Sequence, residues 1–177
     1  MSAAHVKNHQ TSDDWSIMTA EPEPHDTTIL GELYERPGFM IRRAHQIATS
    51  IFMEVAAPVG ATTTQYGVLT ILSACPGVDQ ISLARRMGLD RSTAGTVLQT
   101  LERDGYVLRV VGSDRRRRSL ELTEAGRKRL AMLQECAAEA LTRLLMPLTP
   151  MEATSLCALL AKLTQAHNKT SRVPISD

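Results

Sequence analysis

Gln80-Ile81-Ser82-Leu83-Ala84-Arg85-Arg86-Met87-Gly88-Leu89-Asp90-Arg91-Ser92-Thr93-Ala94-Gly95-Thr96-Val97-Leu98-Gln99-Thr100-Leu101 is the stretch whose reading decides the fold. Leu83, Ala84 and Met87 recur at helical spacing and Gly88-Leu89 interrupts them. Asp90 then caps a second run that carries Ala94, Val97, Leu98 and Leu101. The small Ala84 lets two helices cross closely, and Gly88 permits the sharp turn between them. The pattern predicts a short helix over 80–87 and a second from the Asp90 cap to about Asp104, the plan of a helix-turn-helix.

With Ala94, Val97, Leu98 and Leu101 turned inward, the opposite face of the second helix presents Arg91, Ser92, Thr93, Thr96 and Gln99. All five can donate hydrogen bonds to base edges or phosphates, none is acidic, and a major groove admits one helix. Arg85 on the first helix joins this DNA-binding set. An ordinary solvated helix face uses the same residue types, so the segment that follows carries the decision.

Gly105 ends the second helix, and Tyr106-Val107-Leu108-Arg109-Val110-Val111 has β-branched character. Gly112-Ser113-Asp114 turns the chain, and Arg118-Ser119-Leu120-Glu121-Leu122 alternates with period two. These are two strands of a wing whose tip holds Arg115, Arg116, Arg117 and Arg118. Clustered guanidiniums repel one another unless an anion is near. Beside DNA they neutralise phosphates and release counterions, and one can enter a narrow minor groove. Asp114 can pair with Arg116 and set its direction.

The charge distribution agrees. The chain of 177 residues has a formal net charge of only +1. Residues 1–36 hold two basic residues and seven acidic ones, whereas residues 79–129 hold 12 basic and 7 acidic, about +5. The positive charge sits in the segment that would meet DNA.

Other classes fall away. No apolar run approaches the roughly 18 residues of a membrane span, and the polar, acidic start lacks the pattern of a signal peptide. Cys75, Cys136 and Cys157 are odd in number and far apart, which argues against a disulfide framework or zinc site and for a reducing, cytoplasmic setting. There is no phosphate-binding glycine loop, no HExxH and no GxSxG. The histidines are scattered, so no clustered nucleophile and base suggest an enzyme, and no metal or cofactor is expected.

On either side of this unit lie amphipathic helices. Pro37 suits a first helical position, and Met40, Ala44, Ile47, Ala48, Ile51 and Val55 form a stripe that Pro58 and Gly60 end. Thr62-Thr63-Thr64-Gln65 reads as a capping box opening a helix with Tyr66, Leu69 and Leu72. Thr123 caps a long helix to about Leu145 with Leu130, Leu133, Ala137, Leu141 and Leu144 on one face. Thr149-Pro150-Met151-Glu152 opens a last helix to about His167. The fold class is therefore mainly α with a small β-wing. Residues 1–27 read as an acidic, mobile leader. Residues 28–60 and 123–168 read as N- and C-terminal dimerisation helices, 61–122 as the winged helix-turn-helix, and 169–177 as a tail.

From about Arg36 to Gln165 the chain resembles the multiple-antibiotic-resistance regulator (MarR) family of winged-helix transcription factors. The resemblance rests on Ile81 to Thr93, on Leu101-Glu102-Arg103-Asp104-Gly105-Tyr106-Val107, and on the wing Asp114-Arg115-Arg116 with Leu122-Thr123-Glu124-Ala125-Gly126. It implies an obligate homodimer on double-stranded, pseudo-palindromic DNA, with Arg116 as the minor-groove arginine. Arg36-Pro37-Gly38-Phe39-Met40-Ile41-Arg42-Arg43-Ala44-His45-Gln46-Ile47, with Thr62 to Leu69, looks like the branch that controls breakdown of aromatic compounds. That branch senses hydroxycinnamates, benzoates or nicotinates, or their coenzyme A thioesters.

The residues suit such an effector. A partly buried pair, Arg42 and Arg43, needs an anion, and a carboxylate or phosphate accepts a bidentate fork. Phe39 and Tyr66 can flank a ring, and His45 or Gln46 can bond a hydroxyl or carbonyl. The competing account has the arginines paired with the protein's own carboxylates and Tyr66 in the core. The alternative function is a thiol-based redox-sensing repressor of the same fold. Against it, Cys75 lies at a helix C-terminus, where the dipole disfavours a thiolate, and Cys136 and Cys157 read as inert buried thiols.

Overall fold

The computed structural model describes residues 27–111 and 118–176. The leader up to residue 26 and the wing tip from Asp114 to Arg117 lie outside the described residues. Those that are described fall into two units, divided between Met40 and Ile41.

The first unit contains α1 (Thr27–Glu35) and the opening turn of α2 (Pro37–Val55). Arg36, placed before a proline, cannot continue α1 comfortably. Its carbonyl instead accepts the Met40 N–H at 3.0 Å and starts α2. The Tyr34 and Phe39 rings lie tilted with centroids 5.2 Å apart.

In the second unit, α2 runs on to Val55 and the chain turns through Gly60 into α3 (Thr63–Ala74). The predicted capping box is present: Thr62 Oγ1 accepts from the Gln65 N–H, and Gln65 Oε1 accepts from the Thr62 N–H. Next come α4 (Gln80–Met87), α5 (Arg91–Arg103), β1 (Val107–Val111) and β2 (Arg118–Leu122). Two long helices, α6 (Glu124–Leu145) and α7 (Pro150–His167), complete the series. The strands are antiparallel, in register from Val107 opposite Leu122 to Val111 opposite Arg118. Residues beside them extend the wing at its base, where Gly77 donates to Leu120 O and Leu120 donates to Val78 O.

The core is built around α3, which packs on α4, α5, α6 and β2. Leu69, Leu72, Leu83, Leu98, Leu101, Leu120 and Leu133 are fully buried in it. Each such leucine contributes about 1.5–3 kcal/mol of burial, so the helix-turn-helix and the root of α6 share one rigid core. No single helix among the described residues is long and apolar enough to cross a membrane.

The outer helices differ from the core. No residue of α7 is buried; Leu156, Leu159, Leu160 and Leu163 are all exposed, Leu159 by 62%. On α2 only Phe52 is buried, while Met40 and Ile47 of the predicted stripe are exposed. On α6 the inner face is Leu130, Leu133, Ala137, Ala140 and Leu144, and Leu141 is 55% exposed. Leu141, expected on the same face, is exposed in the single chain, as the leucines of α7 are. Cys157 is likewise exposed rather than buried, because α7 stands off the chain's own core. Cys75 and Cys136 are half-buried.

Candidate nucleic-acid interface

The predicted helix-turn-helix forms residue for residue. Asp79 caps α4, accepting from the N–H groups of Ile81 and Ser82 at 2.8 and 3.0 Å. The helix ends at Gly88, whose φ of +64° lies in the left-handed region that favours glycine. Leu83 and Ala84 are buried, and Met87 packs at the core's edge. Asp90 then caps α5, accepting from the Thr93 N–H at 2.9 Å. The N–H and hydroxyl of Thr93 hold the Asp90 carboxyl below its ordinary range. Ala94, Leu98 and Leu101 are buried and Val97 is partly so, which fixes the phase of the outer face.

That face is exposed at Arg91, Ser92, Thr93, Thr96 and Gln99. Two of the five expected donors have their protons committed elsewhere. Thr93 Oγ1 donates to Asp90 Oδ2 at 2.8 Å, and Thr96 Oγ1 donates to the Ser92 carbonyl at 3.2 Å. In this arrangement both threonines offer acceptors and methyl groups outward, leaving donation to Arg91, Ser92 and Gln99. Arg85 is exposed on α4. Arg118 opens β2, and Asp114, Arg115, Arg116 and Arg117 fall outside the described residues.

Two features of this surface escaped the sequence reading. A depression of about 520 Å³ on the α5 face is ringed by Gln80 as well as Arg91, Ser92, Gly95, Thr96 and Gln99. Behind Gln80 stands Arg109, whose Nε donates to Glu102 Oε1 at 2.6 Å and whose Nη1 donates to Gln80 Oε1 at 3.2 Å. Gln80 and Arg109 are 29 residues apart, so no local pattern could have paired them. The residues after α7 are the second feature. Asn168 and Ile175 exchange two hydrogen bonds, at 2.8 and 2.9 Å, and fold this segment back. Ile175 Cγ1 then lies 3.4 Å from where a Cβ on Gly88 would stand, and Arg172 helps keep Asp90 ionised.

The expected effector residues lie along α2 and α3. Arg43, His45 and Gln46 line one open depression of about 450 Å³ with Thr49 and Ser50. Arg42 and Arg43 are exposed rather than partly buried. Tyr66 is half-buried and packs its ring on Phe52, with centroids 5.7 Å apart. Phe39, in the first unit, packs on Tyr34. A separate cavity of about 550 Å³ lies between Met87, Gly88, Leu163, His167, Val173 and Ile175, and none of the expected effector residues lines it.

Comparison with known proteins agrees with this geometry. The model of the MarR family matches residues 61–118, the helix-turn-helix and most of the wing. The chain is 30% identical over 145 residues to a Thauera aromatica protein named "Putative transcriptional regulatory protein for hcr operon". The match covers 81% of this chain and 85% of that one. Among solved structures, the transcriptional repressor CouR bound to a 23-mer DNA duplex is 34% identical with a TM-score of 0.73. The match spans 76% of this chain and 96% of CouR. CouR bound to p-coumaroyl-CoA is similar at 31% identity and a TM-score of 0.71, again over 76% and 96% of the two chains.

Proposed function

The chain belongs to the MarR family of transcriptional regulators, and from that premise we propose that it is the homodimeric repressor of an aromatic-acid degradation operon. An aromatic acid, or its coenzyme A thioester, releases it from a pseudo-palindromic operator. The observation that carries the DNA reading is the exposed, non-acidic face of α5, fixed in phase by Ala94, Leu98 and Leu101. Each α5 enters a major groove, with half-site centres about one helical turn apart. Arg115, Arg116, Arg117 and Arg118 of the wing follow the backbone and the adjacent minor groove.

The dimer reading is supported by the exposed leucines of α7 and the exposed Met40 and Ile47 of the α2 stripe, apolar surface of the kind a partner covers. The effector reading rests on Arg42 and Arg43 beside His45 and Gln46. A carboxylate or thioester phosphate is the natural counter-ion for two neighbouring guanidiniums. Within the second unit, Tyr66, half-buried on Phe52, is the candidate for a ring contact. The effector releases DNA only by preferring the head spacing that does not fit the operator.

The test is titration of the DNA upstream of the protein's own gene, with and without a panel of aromatic acids and their thioesters. At least one should weaken the complex, and Arg42→Ala or Arg43→Ala should abolish that response while keeping operator affinity. Full response in both variants, or none to any compound, would overturn the effector reading.

A further inference from the structure

We propose that Gln80, outside the recognition helix, is a DNA-contacting residue, and that Arg109 is the positioning residue that aims its carboxamide N–H at the operator. The proposal rests on the DNA-binding reading of α5 and adds to it a donor from a different helix.

Four observations converge on Gln80. It is the first residue of α4, and in a helix-turn-helix the first helix crosses the DNA backbone. It shares the rim of one depression with Arg91, Ser92, Gly95, Thr96 and Gln99, so it borders the middle of the α5 face. Its Oε1 accepts from Arg109 Nη1 at 3.2 Å. Arginine has only donors, so this bond settles which end of the amide is oxygen and turns the NH₂ the other way. The NH₂ lies against Gly95: a Cβ there would stand 3.2 Å from Gln80 Nε2, and the missing side chain is what lets the amide lie against α5.

Arg109 is itself held. Its Nε donates to Glu102 at 2.6 Å, and both side chains are about three-quarters buried, at 27% and 26% exposure. A charge-assisted bond in that setting fixes the guanidinium plane, and the plane fixes Gln80. The relay runs from α5 (Glu102) through β1 (Arg109) to α4 (Gln80), so all three elements that approach DNA set the direction of one donor. The acceptor is either a phosphate oxygen or a base-edge acceptor of the operator. A pre-aimed amide donor loses little side-chain entropy on binding.

The experiment measures operator affinity of the full chain for Gln80→Ala and Gln80→Glu, with Gln99→Ala as reference. Gln80→Ala should weaken binding about tenfold. Gln80→Glu should weaken it further, since the new carboxylate pairs with Arg109 yet repels DNA, and both should unfold at the wild-type temperature. Arg109→Met should cause a similar loss in the wild-type background and almost none beyond Gln80→Ala. Additive losses would make Arg109 a structural residue and overturn its part. Operators altered one base pair at a time separate the acceptors: an equal loss on all of them means a phosphate, and a loss confined to one position means a base. Wild-type affinity in both Gln80 variants, with a loss in Gln99→Ala, overturns the proposal alone. Wild-type affinity in all three overturns the α5 interface as well.

Discussion

Gly126, in the first turn of α6, lies so close to Tyr106 that a Cβ on it would stand 2.1 Å from the Tyr106 carbonyl oxygen. The same carbonyl accepts the Thr123 N–H at 3.1 Å, and Thr123 Oγ1 donates to Gly105 O at 2.7 Å while capping Gly126 N–H at 2.9 Å. Arg129, one turn on, lies over the Tyr106 ring with 4.5 Å to its centroid and donates to Gly60 O at 3.0 Å. The root of α6 is thereby bolted to the junction between α5 and β1.

Gly126→Ala should therefore be costly, although alanine is the better helix former. The blocking atom is backbone, which cannot rotate away, and overpacking of this kind costs about 1–3 kcal/mol or more. Gly38→Ala is the control, because a Cβ there meets nothing within 4 Å; it should gain up to about 1 kcal/mol. Urea unfolding of both variants checks this, and equal midpoints would refute the bolt.

The acid limb of stability should involve Asp90. Its carboxyl is lowered below the ordinary range by the N–H and hydroxyl of Thr93. A depressed folded pKa means stability that is present above the unfolded pKa and is lost as pH falls through the folded one. Glu152 is lowered similarly by the backbone and hydroxyl of Thr149. Asp90→Asn keeps a cap but cannot titrate. Its stability deficit against wild type at neutral pH should shrink below about pH 4. Parallel stability curves over the whole acid range would contradict this.

What the sequence made legible here was whatever is local. The caps at Thr62, Asp90, Thr123 and Thr149, and the turn at Gly88, are decided by neighbours within four residues, and each formed where its residues predicted. The stripe on α6 was legible from its period, but not which of its leucines the chain's own core covers: Leu130 and Leu133 are buried and Leu141 is exposed. Arg109 and Gln80 were invisible for a different reason: both read as ordinary polar residues until the fold crosses β1 behind α4. The exposure of Arg42, Arg43 and Cys157 could not be read at all, since amphipathic helices look the same whether their cover comes from the chain or from a partner.

That last ambiguity yields a prediction. If the exposed leucines of α7 are covered in a dimer, Leu160→Glu with Leu163→Glu should break it. Leu160 and Leu163 are 39% and 49% exposed in the single chain, so covering them gains somewhat under half of the roughly 1.5–3 kcal/mol of full burial. Losing two per protomer should raise the dissociation constant at least about hundredfold before the cost of the buried charge. Light scattering at micromolar concentration should then report monomers, and operator binding should fall with the loss of bivalency. A double variant that remains dimeric would place the interface elsewhere.

Salt dependence separates the roles of α5 and the wing. Each phosphate neutralised contributes about −0.9 to the slope of log K against log salt. If Arg116 occupies the minor groove beside the backbone, a dimer carries two such contacts, and Arg116→Ala should lessen the slope by about 2 while weakening all DNA sequences alike. Gln99→Ala should leave the slope unchanged and weaken the operator more than unrelated DNA, because it removes a hydrogen bond to a base rather than a phosphate contact. The two variants thus move different observables. An unchanged slope in Arg116→Ala would deny Arg116 its part in binding, and a slope that falls with Gln99→Ala would move Gln99 from reading bases to holding the backbone.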